Sequence, residues 1–211
     1  MTDTQKISPK FRRHSPDERK RELVDATIKC LEKKGSEGLS VRSISAEAGI
    51  SIGLINHHYP SKDDLIADAY EKLATDILQH VLDLVQENGG NPRERMSAFF
   101  NAYFSSHVLD EKILRIWIVF WHMSDKSEKV RHSHDKTSEG FRQQVEIMLR
   151  DLGALPEVPN FNYRLAAIGL SGMLDGLWLE WCLNPTSFEP KEGLQICEAW
   201  VDCLMSGSFK L

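Results

Sequence analysis

The stretch SVRSISAEAGISIGLINHHYPSK, residues 40–62, carries the most specific structural signals in this 211-residue chain. Ser40 and Ser51 each stand where a helix can begin, because a serine side chain caps the free N–H groups of a first turn. Between them Gly49 allows a sharp turn. Pro60 ends the second helix, since the residue before a proline disfavours the helical conformation. The stretch therefore predicts two short helices joined by a tight turn, which is the helix-turn-helix plan.

The second of these helices is predicted to touch double-stranded DNA. Ser51 caps it, and its free N–H groups and positive dipole end suit a phosphate group. Gly53 has no side chain, so the backbone can approach a duplex closely. The other candidates supply hydrogen-bond donors, a cation or apolar contacts to thymine methyl groups. They are Ile52, Leu54, Asn56, His57, His58, Tyr59 and Lys62.

The adjacent His57 and His58 admit other interpretations. Two neighbours on a helix point about 100° apart, so they chelate one metal ion poorly. No carboxylate at matched spacing completes a zinc site, and we expect neither a metal nor a cofactor. Packing of at least one of His57, His58 and Tyr59 against the first helix is as reasonable as contact with DNA.

Helical patterns fill the rest of the chain. Ser15, Pro16 and Glu18 form the start signal of a first helix that ends at Gly35. Apolar residues then recur at helical spacing, and no alternating pattern of a β-strand competes. We predict an all-α protein of about nine helices. The helices after the second short helix, which we call the reading helix, cover about 61–88, 92–107, 110–124, 126–152 and 161–183. The last helix starts at Pro190.

The net charge of −5 conceals an asymmetry along the chain. Residues 1–62 carry 12 Lys and Arg against 8 Asp and Glu, whereas residues 63–211 carry 14 against 23. This pattern predicts a flexible basic arm at 1–14, a DNA-binding domain at 15–62 and a ligand-binding and dimerisation domain over the remainder. A basic, solvated tail without a partner would give the same count.

The composition indicates a cytoplasmic protein. No run of 18 apolar residues is present, and residues 1–22 lack the apolar core of a signal peptide, so we expect no membrane contact. The four cysteines form no C-x2-C pair, and we expect them to be buried, reduced thiols. They are Cys30, Cys182, Cys197 and Cys203.

Aromatic side chains cluster in the C-terminal half around one acidic residue, Asp175. Aromatic rings and a carboxylate together can hold a cation, by attraction to the ring faces and to the charge. A lone carboxylate among Gly, Leu and Trp needs a partner. Ordinary packing of the tryptophans in the core is the alternative. The expected ligand-binding set is Trp117, Trp121, His122, Asp175, Trp178 and Trp181.

The 161–183 segment is rich in small residues, which let two helices approach closely. With the last helix it fits either a four-helix interface between two copies or internal packing in one subunit. One short reading helix gives little specificity, so we expect a two-fold dimer on a palindromic operator. The small residues are Ala166, Ala167, Gly169, Ser171, Gly172 and Gly176.

Residues 19–70 resemble the TetR family of transcriptional repressors. The resemblance rests on the turn AGIS at 48–51, on Gly53, and on HYPSK at 58–62 leading into Asp-Leu-Ile. GLINHHY and the later segments RIWIVFWHMS and LSGMLDGLWLEWCL look most like the BetI branch, the repressors of choline-to-betaine genes. In this family the end of the third helix and the next lysine touch phosphates. That role carries over to His57, His58, Tyr59 and Lys62, and Arg42 matches a position that contacts the DNA backbone.

The resemblance implies an all-helical homodimer with a ligand site in each C-terminal domain. We therefore expect a repressor that a small-molecule inducer, choline-like or another cation, releases from its operator. An activator, or a response to a polyamine or an apolar ligand, is the alternative. Ile52 and Leu54 replace the Lys and Thr of many members, which implies a different operator or more contact from the arm. No catalytic motif is present, so an enzyme is disfavoured, and a helical interaction protein is a third class.

Overall fold

The computed structural model describes residues 15–209, and every regular element in that range is an α-helix. The all-α prediction is confirmed, whereas the predicted basic arm at 1–14 lies outside the described residues. The helices in the described range are α1 (Pro16–Lys34), α2 (Val41–Ala48), α3 (Ile52–His58), α4 (Lys62–Asn88), α5 (Pro92–Tyr103), α6 (Glu111–Ser124), α7 (Glu128–Gly153), α8 (Tyr163–Leu183) and α9 (Pro190–Met205).

Caps form at the helix ends where the sequence predicts them. The hydroxyl of Ser15 accepts from the N–H of Glu18, whose carboxylate accepts from the N–H of Ser15, a reciprocal capping box. Ser51 caps α3 by accepting a backbone bond at 3.3 Å. Gly35 and Gly49 end α1 and α2 with φ angles of 63° and 67°. Glycine enters this left-handed region at low cost, so both turns depend on it.

Gly49→Ala is expected to lower the free energy of unfolding by about 1 kcal/mol, because a Cβ is strained at this φ angle. A Cβ there would meet no other atom within 4 Å, so steric crowding adds nothing. Urea denaturation measures the change. Gly53→Ala is the control, since Gly53 is helical and equally open, and we expect no loss there. Equal losses in both variants would contradict the argument.

α4 joins the two parts of the molecule. It begins at Lys62, directly after the small unit formed by α1, α2 and α3, and its 27 residues extend for about 40 Å. One end packs against α1, and the helix also packs extensively against α5 and α7. α8 packs on α7, and α9 packs on α5 and α8. The helix that follows the helix-turn-helix is therefore also a wall of the C-terminal bundle.

The first half of α7 is fastened to α4 by polar contacts. The sequence predicts an apolar face only in the second half of this helix, and Val130 is the buried hydrophobic residue of the first half. Hydroxyl and ammonium groups of α7 and its cap supply the contact instead. The bonds run from Ser127 to Asp63 at 2.8 Å, from Lys129 to Asp64 at 2.5 Å and from Ser133 to Glu71 at 2.9 Å.

Two details differ from the predictions. α5 ends at Tyr103, four residues before the predicted limit, because Phe104 and Val108 turn into the core and are buried. Cys30 and Cys197 are buried and Cys182 is half-buried, but Cys203 is exposed on the outer side of α9. All four thiols are free.

Between residues 15 and 209 no helix is long and apolar enough to cross a membrane.

Candidate nucleic-acid interface and ligand cavity

α3 presents one face to solvent. Ile52, Gly53, Asn56 and His57 are exposed along it, as is the capping Ser51. A Cβ added at Gly53 would meet nothing within 4 Å, so the backbone is accessible there. A short exposed helix with side-chain donors is the kind of element that a major groove admits.

The other side of α3 anchors the helix. Ile55 is buried, and Leu54 and His58 are half-buried. Burial lowers the pKa of His58, and the charges of His57, Lys20 and Arg19 lower it further. His58 is therefore more readily neutral than a free histidine, which weakens it as a partner for phosphate.

Tyr59 lies in the core and not on the exposed face. It is 4% exposed, and its hydroxyl donates to Asp68 of α4 at 2.9 Å. Burial and the neighbouring carboxylate raise the pKa of this phenol. The ammonium group of Lys20 lies 5.7 Å from the ring centre. Tyr59 thus fixes the end of α3 against α1 and α4, which is the packing alternative that the sequence left open.

Tyr59→Phe is expected to lower the free energy of unfolding by about 1 kcal/mol, because Asp68 loses its hydrogen-bond donor while the ring still packs. Operator affinity should change less than threefold if the side chain only supports α3. Chemical denaturation and a DNA titration measure the two quantities. A large loss of DNA affinity at unchanged stability would instead place the hydroxyl at the DNA.

Two cations flank the exposed face of α3. Arg42 of α2 and Lys62 at the start of α4 are both exposed. Neither makes a hydrogen bond or an ion pair with another residue of the described range 15–209. Lys33 of α1, by contrast, is paired with Glu47 of α2 at 2.8 Å. Free cations beside a groove-sized helix are the arrangement that phosphate contacts require.

A cavity of about 570 Å³ lies within the C-terminal bundle. Four of the six predicted ligand residues line it, namely Trp117, Trp121, Asp175 and Trp178. His122 and Trp181 do not. His122 is exposed on the outer side of α6, and Trp181 is half-buried on a different side of α8. The structure does not bring these two predicted residues to the cavity wall, because neighbours in sequence point about 100° apart on a helix.

Asp175 is the one carboxylate among the residues that line this cavity. Its side chain keeps enough accessible surface to count as exposed, although neighbouring atoms crowd it, and within residues 15–209 it forms no hydrogen bond or ion pair. Burial among the surrounding atoms raises its pKa to about 6, and Arg142 opposes the rise. A partly desolvated, unpaired carboxylate favours a bound cation over an empty site.

The aromatic rings of the cavity form two clusters, not one cage. Trp117 lies 6.5 Å from Trp121 and 5.0 Å from Tyr70 between ring centres, and these three form the first cluster. In the second, Tyr103 lies 5.2 Å from Trp178 and 5.9 Å from Phe141. Burial raises the pKa of both Tyr70 and Tyr103, and the charge of Asp175 raises it further. The carboxylate is therefore within electrostatic reach of both clusters.

His134 is a cavity residue that the sequence did not reveal. Its Nδ1 lies 2.9 Å from the hydroxyl of Tyr70 and 3.3 Å from that of Ser138. On the sequence alone it is a surface histidine, because its neighbours on α7 are polar. Only the packing of α7 on α4 brings it to the cavity wall.

Throughout the described residues, no three His, Cys, Asp or Glu side chains form a metal site.

The small residues of α8 divide between two sides of the helix. Ala166 and Ala167 are buried inside the subunit. Gly172 and Gly176 are exposed, and a Cβ at either would meet nothing within 4 Å. Gly172 and the 37% exposed Ile168 also line the cavity, which opens on this side of α8. Large apolar side chains that do not line the cavity are exposed on α8 and α9 as well. They are Leu165 (44% exposed), Leu179 (39%), Leu183 (68%) and Ile196 (47%).

A helix-turn-helix with an exposed reading helix, joined by one long helix to a bundle with a cavity, defines a class of ligand-responsive DNA-binding regulators. Comparison with known proteins agrees. Residues 23–69 match the family of bacterial regulatory proteins called tetR, and residues 92–206 match the C-terminal part of BetI-type transcriptional repressors. The chain belongs to the TetR family, with a BetI-type C-terminal part, and is a transcriptional regulator, not an enzyme.

Individual relatives extend over nearly the whole chain. The HTH-type transcriptional regulator BetI of Paraburkholderia phymatum is 26% identical over 191 residues, which are 90% of this chain and 94% of that protein. A transcriptional regulator of Pseudomonas aeruginosa PAO1 of known structure is 44% identical, with a TM-score of 0.84 over 93% and 94% of the two chains. A regulator from Saccharomonospora viridis, solved with choline, shares the fold at 20% identity and a TM-score of 0.73, over 88% and 96%.

Proposed function

We propose that the protein is a repressor that binds a palindromic operator as a homodimer and leaves it when a cation enters the cavity. The observation that carries the ligand class is the unpaired carboxylate of Asp175 between two aromatic clusters. A quaternary ammonium group matches this site, because it has a permanent charge and no hydrogen to donate. The regulator solved with choline has the same fold, which supports the class but not the identity of the ligand.

DNA contact is assigned to the exposed face of α3 and the two free cations. Ser51, Ile52, Gly53, Asn56 and His57 lie on that face. Arg42 and Lys62 supply phosphate contacts, and half-buried Leu54 and His58 lie at its edge. Because these contacts displace counterions, operator affinity should fall steeply with salt. A helical interaction protein without a DNA partner would show no such dependence.

α4 is the element that couples the cavity to the DNA. It lines the cavity from Tyr70 to Val81, and its first residue, Lys62, is one of the two proposed phosphate contacts. A ligand that moves this helix also moves α3, which Tyr59 fastens to it. The ligand can shift the equilibrium only by its differential affinity for the two arrangements. We assign the weaker DNA binding to the arrangement that prefers the ligand.

Release from the operator tests the proposal. A fluorescent fragment of the DNA upstream of the gene is titrated with protein at fixed salt, with and without choline, tetramethylammonium and spermidine. We expect tight, palindrome-dependent binding that the quaternary ammonium compounds weaken at least tenfold. Release by spermidine alone would indicate that the ligand is a polyamine and not a quaternary ammonium compound. Tighter binding in the presence of the ligand would indicate a co-repressor or an activator.

The affinity for tetramethylammonium is expected to fall as the pH drops below 6. The pKa of Asp175 is about 6 in the free protein, and a permanent cation binds the ionised form, so affinity should drop toward tenfold per pH unit below that value. Calorimetry between pH 5 and 8 measures this dependence. Arg142, His134, Tyr70 and Tyr103 surround the site, and Asp175→Asn separates their titration from that of Asp175. An affinity that does not change with pH in the wild-type protein would show that the carboxylate does not contact the cation.

A further inference from the structure

The cavity is larger than a small quaternary ammonium ion requires. A head of seven non-hydrogen atoms occupies about 200 Å³, taking the roughly 30 Å³ that one water molecule occupies in the liquid as the share of each atom. The cavity holds about 570 Å³. Well-fitted ligands bury most of their surface, so an occupant of this size would leave much of the cavity unused.

The two ends of the cavity differ in chemistry. α7 runs beside α4 in the same direction, because Asp64 contacts Lys129 and Tyr70 contacts His134. α8 then returns antiparallel, so its N-terminal part lies at the Val81 end of α4. Toward that end α4 and α8 supply aliphatic walls, and α7 adds Phe141 and Arg142 level with Ile77 and Leu78, whereas the opposite end carries the first aromatic cluster and His134. The aliphatic lining residues are Ala74, Ile77, Leu78, Val81 and Ile168.

The length of the aliphatic part can be read from the helices. Asp175 and Ile168 are seven residues apart on α8, which is about 10 Å at 1.5 Å per residue. An extended hydrocarbon chain advances about 1.3 Å per carbon, given its 1.5 Å bonds. A chain of about eight carbons therefore spans from the carboxylate to the aliphatic end. Gly172 lies between the two, where an added Cβ would meet no atom.

The charges on the wall limit the occupant to one positive charge. Asp175 is the sole acid among the lining residues of the described chain. Arg142 also lines the cavity, and its own balancing charge, Glu139, lies 3.7 Å away on α7. A second ammonium group on the ligand would find no carboxylate and would approach Arg142. A polyamine therefore fits this cavity poorly.

We infer that the occupant is an amphiphilic monocation. Its trimethylammonium-sized head lies at Asp175 between the two aromatic clusters, and an aliphatic chain of about six to eight carbons extends along α4 toward Val81 and Ile168. This inference rests on the proposed cation site. It goes beyond that site by assigning the aliphatic half of the cavity to a part of the ligand that choline lacks.

The affinity of a homologous ligand series tests the inference. Tetramethylammonium and butyl-, hexyl-, octyl- and dodecyltrimethylammonium are titrated into the intact protein by calorimetry, below their micelle concentrations. Each buried methylene should raise affinity about threefold to fourfold, up to about eight carbons, and then the gain should stop. If tetramethylammonium binds and the chains add nothing, the inference is wrong while the cation site stands. If no member binds, or Asp175→Asn binds all of them equally well, the cation site itself is wrong.

Substitutions at Leu78 test where the aliphatic chain of the ligand lies. Leu78→Trp fills the aliphatic end and should weaken octyltrimethylammonium at least tenfold while leaving tetramethylammonium unchanged. Leu78→Asn keeps the volume small and makes the same wall polar, so it gives the same selectivity if the bulky variant fails to fold. Leu82→Asn is the matched control, because Leu82 is on α4 but does not line the cavity. Equal losses for both ligands, or the same selectivity in the control, would overturn the placement.

Discussion

The variant Asp175→Asn is expected to bind a quaternary ammonium ion about 100-fold more weakly than the wild-type protein, a loss of roughly 2.7 kcal/mol. Asparagine keeps the shape of the side chain and removes the charge, so the aromatic rings alone remain to attract the cation. Attraction to ring faces contributes about 2 kcal/mol where the cation is desolvated, and the lost charge accounts for a comparable share. Calorimetry measures the affinity, and the cation should no longer release the operator.

The stability of the same variant separates a ligand role from a structural one. The folded-state pKa of Asp175 is raised from 3.8 to about 6. The protonated carboxyl therefore favours folding, and this contribution is lost as the pH rises from about 4 to about 6. Above that window the charge costs stability, so Asp175→Asn should melt at the same or a higher temperature than wild type at pH 8. A clearly lower melting temperature would mean that the carboxylate holds the bundle together.

The control for this prediction lies on the same helix. Glu180→Gln removes one negative charge from an exposed position of α8 that does not line the cavity. It changes the net charge of the protein as Asp175→Asn does, and it should leave cation affinity unchanged. Equal losses in both variants would show that the long-range charge of the protein, and not the contact at Asp175, attracts the ligand.

The local signals in the sequence were sufficient to predict the helices and the helix-turn-helix. Serine caps and the glycine at residue 49 act within a few residues of themselves, so a linear reading detects them. The same local signals could not decide between packing and DNA contact for Tyr59. Its environment depends on Asp68, which lies on the next helix, and on Lys20, which is 39 positions earlier. An aromatic residue at the end of an exposed helix has no local mark that distinguishes packing from contact.

The sequence identified only part of the cavity lining for the same reason. Asp175 was identified because an unpaired charge among apolar residues needs a partner wherever it lies. The division of the rings into two clusters depends on Tyr70, Tyr103 and Phe141, which come from three other helices. His134 reaches the wall only because polar contacts hold the first half of α7 to α4. The periodicity of apolar residues does not reveal polar contacts between helices.

The double variant Leu179→Glu/Leu183→Glu is expected to be a folded monomer that binds the operator at least 100-fold more weakly than wild type. Both side chains are exposed apolar groups on α8, and neither lines the cavity. In a two-fold interface each position meets the partner's surface twice, so four added carboxylates would face one another across it. Each head alone then contacts a single half-site, which loses the gain from simultaneous binding. Sedimentation at micromolar concentration measures the mass, and a DNA titration measures the affinity.

A matched variant tests whether the effect belongs to α8. Ile147 of α7 is 51% exposed and does not line the cavity, so Ile147→Glu removes a comparable apolar group from another helix. We expect that variant to remain dimeric and to bind the operator like wild type. A dimer in the double variant, or a monomer in the control, would move the interface away from the outer side of α8. Retained cation binding in the monomeric double variant would show that each cavity functions within one chain and that assembly serves the DNA.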